Sequence, residues 1–146
     1  LRTTVGVRQG CVLSPQLFNI LLEVVMLHAT HDTMIGVHVH GQLINNLRFA
    51  DDIVLIADNE ADLQPILDQI HESSSNYGLK MNIAKTEVQA ISKQPQRLRI
   101  SIDGNQLKQV DKFTYLGGTI SQTGSCTEYV QHRIGRALYE HSTLSL

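Results

Sequence analysis

Asp51 and Asp52 stand side by side in Leu47-Arg48-Phe49-Ala50-Asp51-Asp52-Ile53-Val54-Leu55-Ile56-Ala57, between two apolar runs short enough to be buried strands. Ionised groups in such a place are costly unless they are paired, hydrogen-bonded or bound to a metal. Neighbouring side chains in a flat strand leave on opposite faces, so both acids approach one cation only if the chain turns between the runs. Small Ala50 permits that turn. The stretch reads as strand, acidic turn, strand, offering hard oxygen ligands of the kind Mg²⁺ prefers. An ordinary Asp-Asp turn fits the same residues equally well, because aspartate is common in turns.

Other side chains with chemical potential are less convincing. His28 and His31 lie three apart on a helical stretch and His38 and His40 alternate along an extended one, so each pair shares a face. A zinc site usually needs four ligands, and no Cys-X-X-Cys or comparable spacing completes this set. Cys11 has no evident basic partner nearby in sequence and reads as a packed or idle thiol.

The elements that would carry these residues follow from periodicity. A first helix starts with Ser14 as N-cap and Pro15 in the first helical position, and Leu17, Leu21, Leu22, Val25 and Ala29 mark its core face. Val37 to Ile44 alternates around a Gly41 turn and leads through Asn45-Asn46 into the acidic hairpin. Leu63, Ile66, Leu67, Ile70 and Tyr77 mark a second helix closed by Gly78. Pro65 favours a start with Asp62 as N-cap over one at Asn59, because a proline deep in a helix loses a hydrogen bond and clashes with the preceding turn. Leu79 to Ser92 reads as a loop into a strand, with Val88 and Ala90 inward and Glu87 and Gln89 outward. Leu98, Ile100 and Ile102 alternate before an Asp103-Gly104 hairpin turn, which returns through Leu107 and Val110. Phe113, Tyr115 and Leu116 continue the β region, and Gly117-Gly118 ends it. Ser125-Cys126-Thr127-Glu128 has capping-box spacing and opens a last helix with Val130, Ile134, Ala137 and Leu138 on one side.

At 146 residues and 42% hydrophobic content the chain is about one domain with enough apolar material for a core. The two cysteines, Cys11 and Cys126, form no disulfide framework and suit a reducing compartment. The sequence shows no secretory leader and no run long enough to cross a bilayer, so an intracellular, non-secreted protein, nuclear or cytoplasmic, is expected. A formal net charge of −2 argues mildly against a free-standing nucleic-acid binder. Charge is unevenly spread, however. From Asp51 through Glu72 the charged residues are all acidic, whereas Lys80, Lys85, Lys93, Arg97, Arg99, Lys108 and Lys112 outnumber Glu87, Asp103 and Asp111 in the following stretch. That second region suits either a phosphate backbone or a plain solvated face.

Phe49-Ala50-Asp51-Asp52 resembles the aromatic-X-Asp-Asp motif in the palm of reverse transcriptases, in the form found in non-LTR (LINE-type) retrotransposons. Three further stretches resemble the same family in the same order. Gly6-Val7-Arg8-Gln9-Gly10-Cys11-Val12-Leu13-Ser14-Pro15-Gln16-Leu17-Phe18-Asn19 is similar to its Gln-Gly...Ser-Pro-Leu-Phe-Asn segment. Gly78-Leu79-Lys80-Met81-Asn82-Ile83-Ala84-Lys85-Thr86-Glu87 is similar to its Gly-Leu...Asn...Lys-Thr-Glu segment. Phe113-Thr114-Tyr115-Leu116-Gly117 is similar to its primer-gripping hairpin.

The resemblance implies an α+β fold, an incomplete polymerase palm with an antiparallel sheet packed by helices, followed by a β-hairpin and helix. It implies a partial palm over residues 1–118 and a truncated start of the thumb or connection over 119–146. The activity implied is RNA-directed DNA synthesis by two-metal phosphoryl transfer, with two Mg²⁺ in the complete enzyme and an RNA template, a DNA primer and dNTPs as partners. Asp51 and then Asp52 become the metal ligands and Lys85 the group that assists the departing pyrophosphate. Gln9 and Gly10 would meet template and nucleotide, and Tyr115, Leu116 and Gly117 the primer. The family also uses an aspartate upstream of the Gln-Gly motif, and this chain begins too late to contain it. The isolated chain is therefore expected to polymerise nothing measurable and to be marginally stable or aggregation-prone at an open strand edge. Two alternatives are a non-catalytic relic or interaction module that keeps the palm pattern, and an unrelated phosphohydrolase built on Asp51 and Asp52 or on a histidine metal site.

Overall fold

The structure, a computed structural model, describes residues 12–31 and 33–124. Gln9, Gly10, Cys11 and the expected last helix from Ser125 lie outside the described residues. In chain order the elements are α1 (Ser14–Thr30), β1 (Val37–Val39), β2 (Gln42–Ile44), β3 (Asn46–Phe49), β4 (Asp52–Leu55), α2 (Glu60–Asn76), β5 (Glu87–Val88), β6 (Ser101–Ile102), β7 (Asn105–Gln106), β8 (Lys108–Gln109), β9 (Lys112–Tyr115) and β10 (Gly118–Ser121). The fold is α+β, with strands paired two by two: β1 with β2, β3 with β4, β6 with β7 and β9 with β10 antiparallel, and β5 with β8 parallel. Among the described residues no helix is long and apolar enough to cross a membrane.

Two compact units divide the chain. The first holds α1, the hairpins β1–β2 and β3–β4, α2 and the hairpin β6–β7. Leu22, Met26 and Ala29 of α1 meet Ile66 and Ile70 of α2 in its buried cluster, with Phe18, Ile35, Ile53, Leu55 and Leu63 packed around them. The helices run in the same direction along this contact. The Ser73 hydroxyl donates to the Val25 carbonyl at 3.0 Å, and one turn further His28 stacks on Tyr77 at 5.8 Å between ring centroids. Gln64 ties α2 to β6, its amide donating to Ser101 O at 2.8 Å and accepting from Ser101 N at 2.9 Å.

Both helix starts differ from the sequence expectation. Helix α1 has Leu13 as N-cap with no side-chain cap, and Ser14 is its first, buried residue; Pro15 does sit in the opening turn. Helix α2 starts earlier than Pro65 suggested. Asn59 is its N-cap, accepting from Asp62 N at 2.9 Å while its own amide donates to Asp62 Oδ2 at 2.6 Å. This reciprocal bonding, with Glu60 and Asp62 favourably placed at the positive end of the helix dipole, offsets the bond lost at Pro65. The far end is as expected. Gly78, at φ +74°, donates to Ser75 O, and Leu79 donates to Ser74 O, a Schellman closure whose left-handed position suits glycine.

Among the described residues, the second unit comprises residues 84–99 and 107–124. Val88 and Ala90 are buried as the alternation requires, with Leu98 and Leu107. Gln89 does not simply face outward. Half-buried, it donates to Asp111 O at 2.9 Å and Ile120 O at 3.0 Å, fixing the base of the β9–β10 hairpin. Gly117 and Gly118 do not end the β region either: the chain turns at Leu116-Gly117 and returns through β10.

Candidate active site

β3 and β4 pair with Asn46 opposite Leu55, Leu47 opposite Val54, Arg48 opposite Ile53 and Phe49 opposite Asp52. Ala50 and Asp51 are thus the two central residues of a tight turn, and Asp52 opens the returning strand. Opposed residues share a face, so Asn46, Arg48, Ile53 and Leu55 lie on one side and Leu47, Phe49, Asp52 and Val54 on the other. Burial follows this division. Ile53 and Leu55 pack on the helix cluster, while Phe49 is 61% exposed and Leu47 43%.

The acidic turn expected from the sequence is present, but the acids are not buried. Asp51 and Asp52 are both exposed, as are Leu47, Arg48, Phe49 and Ala50 before them, and the run from Ile53 to Ala57 after them is only half-buried. Neither carboxylate is engaged by another described residue. Their oxygens are therefore open to a cation from solution.

Ala50 adopts φ +52°. The three other non-glycine residues with positive φ among the described residues, His40, Asp103 and Leu116, each precede a glycine that also has positive φ, the pattern of a type I′ hairpin. Ala50 precedes an aspartate instead, so this turn holds its conformation without the residue that makes it inexpensive. His40 sits in such a turn and no longer shares a strand face with His38, which removes one of the two histidine pairs as a ligand set. Among the described residues no group of three His, Cys, Asp or Glu is placed to hold a metal.

Beneath the turn, Arg48 Nη1 lies 2.6 Å from Glu23 Oε2 on α1. Asn19, Leu22, Glu23, Arg48 and Ala50 line a depression of about 150 Å³ there. Sequence reasoning did not single out this pair. A signal existed: Glu23 is the one Asp, Glu, Lys or Arg in the otherwise uncharged α1, and a solitary charge in an apolar helix calls for a partner. A larger open groove of about 790 Å³, at the C-terminal ends of α1 and α2, is lined by His28, Glu72 and Tyr77 among others and contains neither acid of the turn.

The remaining described site residues, Lys85, Tyr115, Leu116 and Gly117, belong to the second unit. Lys85 is exposed in the turn preceding β5 rather than at a strand end. Leu116 and Gly117 form the β9–β10 turn at φ +49° and +77°, and Tyr115, half-buried, pairs with Gly118.

The family described as reverse transcriptase (RNA-dependent DNA polymerase) matches residues 1–120. This chain belongs to the reverse transcriptase family. The matched stretch takes in the acidic hairpin, Lys85 and the β9–β10 turn. The chain is 34% identical over 129 residues to the Pol polyprotein of the type-2 retrotransposable element R2DM of Drosophila melanogaster, covering 82% of this chain and 12% of that protein. It is 32% identical over 135 residues to the R2 Pol polyprotein of Nasonia vitripennis, covering 85% of this chain and 13% of the relative. A transposon-derived protein of Caenorhabditis elegans is 34% identical over 104 residues, covering 69% and 37%. The chain thus spans about an eighth of the length of the two R2 polyproteins.

Proposed function

We propose that this chain is the cation-holding part of the palm of a retrotransposon reverse transcriptase, which copies RNA into DNA by nucleotidyl transfer. The observation that carries this reading is the tight turn that leaves Asp51 and Asp52 exposed and unengaged at the tip of the β3–β4 hairpin. Two carboxylate groups suit Mg²⁺, which is commonly bound through one or two protein carboxylates with substrate phosphates and water completing its shell. Asp51 and Asp52 would hold the ions. Bound there, divalent cations supply activation of an attacking hydroxyl and neutralisation of a leaving pyrophosphate. By resemblance, an aspartate upstream of the Gln-Gly motif would join Asp51 and Asp52 in holding the ions.

In this reading residues 1–118 are partial palm and 119–146 the start of the thumb or connection. Lys85 neutralises or protonates the departing pyrophosphate. Gln9 offers an amide to template or nucleotide, Gly10 permits close backbone approach, and Tyr115, Leu116 and Gly117 hold the primer. The 146-residue chain alone extends no primer. The test is primer extension on an RNA template by a polypeptide that joins this chain to its upstream reading frame. Asp51→Ala is expected to lower the rate at least about a hundredfold, the scale of losing one preorganised electrostatic group. Lys85→Ala is expected to lower it about a hundredfold, the lower range for a general acid. An Asp51→Ala enzyme that copies RNA as fast as wild type overturns the site assignment.

A further inference from the structure

The acidic hairpin is tied to the helices unevenly. On β4, Ile53 and Leu55 pack against the α1–α2 cluster. On β3, the same face carries only Asn46 and Arg48. The Asn46 amide donates to its neighbour Asn45, a local bond that reaches no helix. Arg48 reaches α1, its guanidinium 2.6 Å from Glu23 Oε2, and it stands two residues before Ala50. The turn therefore has an apolar tie on one strand and an ionic tie on the other. Ala50 at φ +52° is a conformation that persists only where the surroundings over-determine it.

We infer that Glu23 and Arg48 are positioning residues that clamp β3 onto α1 and so fix how Asp51 and Asp52 are presented to a divalent cation. This rests on the reading of those acids as cation ligands. Strand alternation puts Arg48 on the face opposite Asp52, so the guanidinium acts through the backbone of residues 48–52 and does not cap the acids. The side chains are 30% and 64% exposed, which limits the pair to about a three- to fivefold effect on local opening.

The test uses the full chain, with amide hydrogen exchange as one readout and Mn²⁺-induced NMR line broadening at Asp51 and Asp52 as the other. Glu23→Gln and Arg48→Gln are each expected to speed exchange at residues 46–55 about three- to fivefold and to weaken Mn²⁺ binding by a similar factor, leaving Ile66 and Ile70 unchanged. The swapped pair, Glu23→Arg with Arg48→Glu, is expected to return both readouts to within about twofold of wild type. Unchanged exchange in the single variants overturns the clamp, as does a swapped pair no better than they are. An effect of Glu23→Gln without one of Arg48→Gln overturns it too. Absence of Mn²⁺ broadening in the wild type overturns the cation reading itself, and the exchange arm then decides the clamp alone.

Discussion

Asp51 and Asp52 show how one residue pair can be read correctly in type and wrongly in environment. Their spacing across two apolar runs announced a turn, and the register of β3 and β4 contains it. The expected burial failed because the face that carries Asp52 is turned away from the helices. Exposed, unengaged acids contribute little to stability. Asp51→Asn is therefore expected to change the unfolding free energy in urea by no more than about 0.5 kcal/mol, while removing Mn²⁺ broadening at the turn. A much larger destabilisation would mean that the carboxylate is a structural group. Arg48 was passed over in the sequence because its partner Glu23 lies 25 residues away, and a linear reading has no distance between them.

At the scale of elements, periodicity located Leu22, Val25 and Ala29 in α1 and Ile66, Leu67 and Ile70 in α2, all buried, but Leu17 and Tyr77, expected on the same core faces, are exposed. The helix starts were harder to read. For α2 the sequence posed a conflict between Asn59 as a cap and Pro65 as an interruption, and the two Asn59–Asp62 bonds decide it. Asn59→Ala is expected to cost about 1 kcal/mol in thermal or urea unfolding. Pro65→Ala is expected to stabilise the chain, by at most about 3 kcal/mol, because it restores a backbone donor and removes a clash. If Pro65→Ala were destabilising, the helix would not run through that position as described. A hairpin at Phe113 to Gly117 came only from the resemblance, and the return strand was not read from the residues, because Gly-Thr-Ile-Ser carries little alternation of its own.

For the whole molecule, α1 poses a separate question. Leu13, Leu17, Ile20 and Leu27 are more than half exposed while Leu22, Val25, Met26 and Ala29 are buried, so the helix is apolar on both sides. Such a helix is normally covered all round. The triple substitution Leu17→Gln, Ile20→Gln and Leu27→Gln is expected to reduce self-association in sedimentation or light scattering without lowering the unfolding midpoint appreciably. A cooperative loss of structure would instead show that this face is buried in solution. The sequence by itself determined the family, the α+β class, the presence of α1 and α2 and the identity of the acidic turn, because motifs and periodicities are local and survive without coordinates. Tertiary structure alone decided which face of the hairpin is packed, that its acids are open, and that Glu23 meets Arg48. Those depend on which element lies across from which, a relation between residues far apart in sequence that no window of neighbouring residues contains.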